Sequence, residues 1–239
     1  MDMTMSAHFH KLKLKHSLSL SLSLSIMSVR RLYNASLMGA LALLVHLCMV
    51  DLAICSSNFT DQLALLSFKS SIKNDPNNVL SNWTKESNFC GWAGVLCSRR
   101  RQRVTSLHLR NMGLEGTISP HVGNLSFLQL LNLGNNSFYG HLTDEIGHLR
   151  RLKTLYLSHN MLEGNIPLGL HHCQRLEGIY LAGNKFSGRI PKELSTLPSL
   201  SVLVLGENEL LGTIPPSFGN ISILEGFGLE NNHIYGNIN

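Results

Sequence analysis

A unit of 24 residues recurs from Val104 to the end of this 239-residue chain and decides what the chain can fold into. Leu152–Pro167, with the sequence LKTLYLSHNMLEGNIP, shows the unit most clearly. Its residue types return at the same offsets in six copies, without insertion or deletion. The copies begin at Val104, Leu128, Leu152, Leu176, Leu200 and Leu224. One such unit cannot bury its apolar face alone, so the copies must stack as the coils of a solenoid.

Each copy contains two apolar residues around one variable residue, as at Leu155 and Leu157. This alternation is the period of a half-buried strand, so the stacked copies predict a parallel sheet with one strand per coil. An asparagine follows three residues later, where its amide is expected to point inward and bond backbone groups that the turn leaves unpaired. A glycine four residues further on is expected at a second bend. A helix in each copy is unfavourable because asparagine and glycine recur inside it and proline follows in three copies.

The repeat resembles the plant-type leucine-rich repeat, L-x-x-L-x-L-x-x-N-x-L-x-G-x-I-P-x-x-L-G-x-L. The chain looks most like the ectodomains of plant leucine-rich-repeat receptor-like kinases, and secondarily like secreted polygalacturonase-inhibiting proteins. The resemblance extends over roughly residues 59–239 and is specific to the fold, not to one partner. It implies an α/β solenoid, a right-handed superhelix with a parallel inner sheet and a helical, disulfide-bonded N-terminal cap. The expected domains are a leader at 1–55, the cap at 56–103 and six repeats at 104–239.

Residues 1–55 differ from the rest and predict a secretory leader. A basic flank and a Ser/Leu alternation precede an apolar run from Leu37 to Ile54, and small residues follow near Ala53–Ser57. This order is typical of a cleaved signal peptide. The alternative is an uncleaved signal anchor, because 18 residues lie at the lower limit for a membrane span. His46 and Asp51 within the run favour cleavage.

Asn58–Ser98 lacks the 24-residue period and is expected to close the open apolar end of the solenoid. Asp61–Lys69 matches the D-x-x-A-L-L-x-F-K opening of the plant receptor cap, and its pattern predicts a short amphipathic helix with Asp61 near the N-terminal end. Cys90 and Cys97 enclose CGWAGVLC, a spacing that suggests a disulfide in a secreted protein. A metal site there is unfavourable, because two cysteines without a nearby histidine leave half a tetrahedral site empty.

No catalytic residue, metal ligand or cofactor site is predicted. The chain has no phosphate-binding, zinc-protease, kinase or G-x-S-x-G motif. Cys173 stands where other copies have Leu or Ile, so it is expected to be a buried thiol. The neighbouring His171 and His172 fall on the back of the coil, and His172 is expected to face solvent. Kinase activity is implied only for a cytosolic domain that this chain lacks.

The net charge gives little support for a nucleic-acid partner, because residues 56–239 contain 15 Lys and Arg and 13 Asp and Glu. Arg99, Arg100, Arg101 and Arg103 form a basic cluster between cap and repeats. The cluster is either a solvated loop or a patch for an acidic partner such as pectic carbohydrate or another protein. Glycosylation sequons, dense as in an exposed secreted chain, occur at Asn58, Asn82, Asn124, Asn135 and Asn220, and at Asn34 in the leader.

The outward positions of the strands are the candidate binding residues, because the core does not need them. The expected ligand-binding residues on the concave face are His108, Arg110, Asn132, Tyr156, Ser158, Tyr180, Val204, Glu207 and Glu230. Tyr156 and Tyr180 lie on adjacent strands and are the best anchor pair, since aromatic residues with a polar tip dominate interface energetics. The alternative is that the pair only covers the sheet, as cross-strand aromatic pairs do.

Three functions stay open from the sequence. The first is recognition of an extracellular peptide or protein by the ectodomain of a receptor-like kinase of the immune-receptor branch, with a possible co-receptor. The second is a secreted polygalacturonase-inhibitor-like protein, and the third is a non-functional truncated receptor. The end at Asn239, inside a repeat, favours a fragment over the inhibitor. The resemblance implies a cell-surface or apoplastic location, with membrane attachment through a missing C-terminal span or an uncleaved anchor.

Overall fold

The computed structural model describes residues 58–236. The predicted leader, with Asn34, Cys48 and Cys55, lies outside these residues. Residues 58–70 are α-helical and are followed by fourteen short strands. The strands are β1 (Ile72–Asn74), β2 (Val95–Cys97), β3 (Val104–His108), β4 (Glu115–Thr117), β5 (Leu130–Asn132), β6 (Ser137–His141), β7 (Thr154–Tyr156), β8 (Met161–Asn165), β9 (Gly178–Tyr180), β10 (Lys185–Gly188), β11 (Val202–Val204), β12 (Glu209–Gly212), β13 (Gly226–Gly228) and β14 (His233–Ile234).

The inner sheet is built from one strand of each coil. Its order is β13-β11-β9-β7-β5-β3-β2, with every pair parallel except β2 and β3. Leu131 lies opposite Leu155, Leu155 opposite Ile179, and Ile179 opposite Leu203. All four side chains are fully buried. The register therefore confirms that residues 24 apart occupy equivalent positions on neighbouring coils, and with it the predicted solenoid.

A second sheet, which the sequence analysis did not predict, runs β1-β4-β6-β8-β10-β12-β14. Its repeat strands contain the glycines that the sequence analysis placed at a bend. Gly164 and Gly188 adopt φ of 77° and 73°, and a Cβ at either position would collide with the side chain of His141 or Asn165 on the preceding coil. Glycine is therefore needed both for its left-handed backbone and for the close approach of that side chain.

Short 3-10 helices complete each coil on the side away from the inner sheet. Six of them lie within residues 58–236 outside the α-helix, one in the cap and five in the repeats. Their bounds are Phe89–Gly91, Pro120–Asn124, Asp144–His148, Leu168–His172, Lys192–Thr196 and Pro216–Asn220. The core between them and the sheets is mostly leucine, and Cys173 occupies its expected buried place there.

The recurring asparagines join each coil to the one before it. The Asn184 side-chain oxygen accepts a hydrogen bond from Leu162 N–H at 3.0 Å. Its amide nitrogen donates to the carbonyls of Leu181, Leu157 and Ala182. The other four members of the row make the same pattern of contacts: Asn136, Asn160, Asn208 and Asn232. The inward orientation of the asparagine side chains is confirmed. The predicted ladder connects neighbouring coils through bonds from these side chains to backbone N–H and carbonyl groups.

Replacing Asn184 with Ala is expected to lower the free energy of unfolding by about 1–3 kcal/mol, because Leu162 N–H and buried carbonyls lose their partner. Urea denaturation followed by circular dichroism measures the loss. Asn220→Ala, at an exposed position, is the matched control and is expected to leave stability nearly unchanged. Equal stability of both variants would contradict a structural role for the asparagine row.

The cap packs aromatic side chains against the first coils and is held by a disulfide. Trp83 and Trp92 are almost fully buried and stack with ring centroids 5.2 Å apart. Cys90 and Cys97 are joined, with 5.5 Å between their Cα atoms. The helical, disulfide-bonded cap expected from the sequence is thus present.

A buried ion pair connects the cap to the first repeat and was not foreseen. Asp61 is completely buried, and its two carboxylate oxygens accept hydrogen bonds from Arg103 at 2.8 and 2.7 Å. The backbone N–H of Val104 also donates to Asp61 at 2.9 Å. The expectation that Asp61 serves the helix N-terminus is therefore incomplete, and Arg103 is not part of a solvated loop. The carboxylate fixes the cap helix to the start of β3.

Candidate functional site

The exposed face of the inner sheet brings the predicted outward residues into one row. His108, Asn132, Tyr156, Tyr180 and Val204 lie opposite one another on successive strands. His108 is exposed, and Tyr156, Tyr180 and Val204 are half-buried. Residues from five different coils therefore contribute to one continuous surface.

Tyr156 and Tyr180 form the centre of this surface. Their rings stack with centroids 4.9 Å apart and an interplanar angle of 25°. The guanidinium carbon of Arg110 lies 5.3 Å from the centroid of the Tyr156 ring, within cation–π range. A Cβ on Gly134, which lies on the coil between Arg110 and Tyr156, would collide with the Tyr156 ring. The glycine thus allows Arg110 and the two tyrosines to form one cluster across three coil spacings.

Two of the predicted contact residues are largely covered. Asn132 is 8% exposed and Ser158 is 3% exposed. The Asn132 side-chain oxygen accepts a hydrogen bond from Gly134 N–H at 3.3 Å, so it folds back onto its own strand. Alternation gives the direction of a side chain but not its exposure, and both side chains are almost fully covered. Ligand contact by Asn132 and Ser158 stays a prediction.

The third residue after each inner strand of the repeats adopts the left-handed backbone conformation. Six equivalent residues share φ between 54° and 66°: Asn111, Asn135, His159, Gly183, Glu207 and Asn231. Glycine, asparagine and histidine are the residues of this row that occur most readily in this conformation, whereas Glu207 holds it at a cost of roughly 1–3 kcal/mol. Because the backbone does not favour glutamate there, the Glu207 side chain is a candidate for binding.

Charge changes sign along the face. Arg110 and His108 lie on the first coil, whereas Glu207 and Glu230 lie on the fifth and sixth and are exposed. The Glu230 carboxylate lies over Gly206, where a Cβ would collide with it. A ligand running along the sheet would therefore meet the Arg110 guanidinium at one end, aromatic rings in the middle and carboxylates at the other end.

The predicted glycosylation sites occupy different parts of the surface. Asn124 and Asn220 end two of the 3-10 helices and are exposed, away from the inner sheet. Asn82 is exposed in the cap, and Asn58 is half-buried. Asn135 lies three residues after the inner strand β5, and its side chain donates to Asn111 at 2.6 Å. Glycosylation at all five stays a prediction, and a glycan on Asn135 would lie beside Tyr156.

The Cys173 region lacks the geometry of a nucleophilic site. Burial raises the pKa of the Cys173 thiol to about 12, and its Sγ donates to the Ile146 carbonyl at 3.3 Å. Partial desolvation, and then the adjacent His171, lower the pKa of the exposed His172. Cys173 is therefore a protonated core residue at neutral pH. Within residues 58–236, His, Cys, Asp and Glu side chains form no group of three or more that could hold a metal ion.

A second surface cluster lies where the inner strands begin, and it extends the basic cluster found in the sequence by Phe127, Arg151 and Arg175, which sequence reasoning missed. Arg151, Arg103 and Arg101 place their guanidinium carbons 3.8, 4.6 and 5.5 Å from the centroid of the Phe127 ring. Arg103, Phe127, Arg151 and Arg175 are spaced 24 residues apart, so the repeat period could have revealed them. No helix in the described part of the chain has the length and apolar character of a membrane span.

Two protein families match the chain in the regions just described. The leucine rich repeat N-terminal domain matches residues 59–98, which include the helix, the tryptophans and the disulfide. The leucine rich repeat matches residues 151–173, 175–197 and 199–221, which are three successive coils.

A curated relative is the LRR receptor-like serine/threonine-protein kinase EFR of Arabidopsis thaliana, 53% identical over 95 residues. The match spans 39% of this chain but only 9% of that kinase. Among solved structures, PEPR1–AtPEP1 is similar at 35% identity and a TM-score of 0.71, over 74% of this chain and 25% of the other.

A chain of the Arabidopsis thaliana BIR3–SERK2 complex is similar over nearly its whole length. It is 35% identical with a TM-score of 0.65, and the match covers 73% of this chain and 94% of that one. The chain is thus similar to leucine-rich-repeat ectodomains in both sequence and fold.

Proposed function

Because the chain belongs to the leucine-rich-repeat proteins of the plant receptor-kinase ectodomain type, we propose that it recognises an extracellular peptide or protein with the exposed face of its inner sheet. Tyr156, Tyr180 and Arg110 are the proposed anchors, with Glu207 and Glu230 as charged contacts. The single observation that carries the proposal is the stacked tyrosine pair with its arginine, held outside the core.

The chemistry of this cluster suits a polypeptide ligand. Tyrosine and arginine are enriched at the energetic centres of protein interfaces, because they combine a large apolar area with hydrogen-bonding groups. Gly134 and Gly206 let the Tyr156 ring and the Glu230 carboxylate lie close over the sheet, which fixes both groups on the exposed face. PEPR1 has been solved with AtPEP1, which supports a peptide as the ligand class. The BIR3–SERK2 complex likewise supports a second ectodomain as a possible partner.

The wider biological role is part of the same proposal. The chain would act at the cell surface or in the apoplast, in defence or cell-surface signalling, as the sensing part of a receptor. Kinase activity would reside in a separate cytosolic domain, and the relative EFR is a receptor-like serine/threonine-protein kinase. The repeats themselves would bind and not catalyse.

Replacing both Tyr156 and Tyr180 with Ala is expected to weaken ligand binding at least tenfold, since each anchor of this kind is worth about 2 kcal/mol or more. The full secreted chain is immobilised and screened against a library of synthetic peptides, and the Kd of each peptide that binds is then measured for the variant. The melting temperature of the variant is expected to stay close to that of the unchanged chain.

The matched control is Tyr139→Ala with Tyr235→Ala, which removes two tyrosines associated with the second sheet. This variant is expected to bind the same peptides as the unchanged chain. The proposal fails if the two double variants bind equally well. A large fall in melting temperature on loss of Tyr156 and Tyr180 would instead assign the pair to the structure of the sheet.

A further inference from the structure

We propose that the edge of the inner sheet where its strands begin binds an acidic polysaccharide, independently of the peptide-binding face. The surface, here called the arginine edge, consists of five arginines near the starts of the inner strands: Arg99, Arg100, Arg101, Arg151 and Arg175. The guanidinium carbons of Arg101 and Arg151 lie over the ring of Phe127. Arg99, Arg100 and Arg101 come from the turn between β2 and β3, and Arg151 and Arg175 from the equivalent positions of two later coils. The same edge of the sheet thus receives cations from the cap and from the repeats.

Phe127 organises the arginine edge. Arg151 lies over its ring at 3.8 Å from the centroid, and Arg101 lies at 5.5 Å. The third guanidinium, that of Arg103, is fixed at 4.6 Å by its bidentate pair with Asp61 and by a bond to the Ser126 hydroxyl at 3.0 Å. An aromatic ring thus holds like charges close together, which raises the local positive potential.

The five arginines have no acidic partner in the described residues. Only two ion pairs occur between residues 58 and 236, and neither includes the arginine edge. The acidic residues of these two ion pairs have other partners: Asp61 binds Arg103, and Glu177 binds Lys153, each at 2.7 Å. Arg99, Arg100, Arg101 and Arg175 are exposed and Arg151 is half-buried, so a ligand can reach them. The edge therefore offers unneutralised guanidinium groups for an anion.

The composition of the edge favours a carbohydrate polyanion over a protein. Protein interfaces usually have an apolar centre that is depleted of charged residues. Here the aromatic group, Phe127, is half-buried and has guanidinium groups over its ring. The planar guanidinium instead fits carboxylate or sulfate groups through two parallel hydrogen bonds. Binding would then depend mainly on the charge of the ligand.

The spacing of the edge also fits a polyuronate. Phe127, Arg151 and Arg175 occupy equivalent positions on adjacent coils, which are about 4.8 Å apart in a parallel sheet. In an extended peptide, side chains on the same face recur only about every 6.6–6.8 Å. One sugar residue is closer in length to the distance between coils, so a short uronate chain could place carboxylates near both Arg151 and Arg175.

To test this proposal, an oligogalacturonate is titrated into the full chain by isothermal titration calorimetry at low and at physiological salt concentration. Replacing Arg101 and Arg151 with Gln is expected to weaken binding by about tenfold or more for each lost charge-assisted contact. Arg175→Gln, on an exposed side chain, is a second variant and is expected to weaken binding about tenfold. Affinity of the unchanged chain is expected to fall as salt rises.

The control variant Arg189→Gln with Lys192→Gln removes two positive charges elsewhere on the repeats, and is expected to bind as the unchanged chain does. If both double variants weaken oligogalacturonate binding equally, the proposal is overturned, because the ligand would then be attracted by the net charge of the chain and not by the arginine edge. Stronger binding of polyglutamate than of oligogalacturonate would overturn it in favour of an acidic protein. Absence of oligogalacturonate binding at low salt would make the edge a solvated surface only. None of these results affects the peptide site, which contains none of the substituted residues.

Discussion

Replacing Asp61 with Ala is expected to lower the free energy of unfolding by about 3–5 kcal/mol, the cost of breaking a buried ion pair by removing one partner. Arg103 would keep a guanidinium that is 8% exposed and has lost two hydrogen bonds to carboxylate oxygens. Val104 N–H would also lose its acceptor. The helix of the cap would then be held to the first repeat mainly by apolar contacts.

Urea denaturation of the full chain, followed by circular dichroism and tryptophan fluorescence, measures this change. Trp83 and Trp92 report on the cap, whereas circular dichroism reports mostly on the repeats. Glu86→Ala, an exposed acidic residue of the cap, is the matched control and is expected to change stability little. A loss below about 1 kcal/mol for Asp61→Ala would show that the ion pair does not join the cap to the repeats.

Replacing Leu157 with Ala is expected to cost about 2–5 kcal/mol, because the side chain is fully buried and the cavity cannot close completely. Leu157 lies in the third coil, and its backbone carbonyl accepts a hydrogen bond from the Asn184 amide of the fourth coil. The loss is therefore expected to disturb packing with both neighbouring coils.

Leu211→Ala is the matched control, since it removes the same atoms from a side chain that is 50% exposed. Thermal and urea denaturation of the two variants are compared under the same conditions. The control is expected to stay close to the unchanged chain. Similar stability of both variants would mean that the position in the repeat does not determine burial.

The repeat architecture could be predicted because the period is constant. Once Leu131, Leu155, Ile179 and Leu203 are aligned at 24-residue intervals, their common environment follows from stacking alone. The inward asparagine could also be predicted, since an amide at a turn is the natural partner for unpaired backbone groups. These inferences need only distances along the chain.

Other features could not be predicted because they depend on contacts between distant residues or on side-chain conformation. Asp61 and Arg103 are 42 residues apart, and nothing in either local pattern links them. The second sheet was missed because its strands contain glycines, which usually weaken strands. Alternation predicts an outward direction for Ser158 but does not predict that the residue is only 3% exposed.

The asparagine row has a consequence for how such a chain can change in length. Each asparagine bonds only its own coil and the coil before it, and the backbone it meets there is the same in every copy. A gene duplication or deletion of one complete unit would therefore restore every partner at the new junction. A change of any other length would place a different residue opposite the amide, so whole units are the increments by which this molecule can evolve.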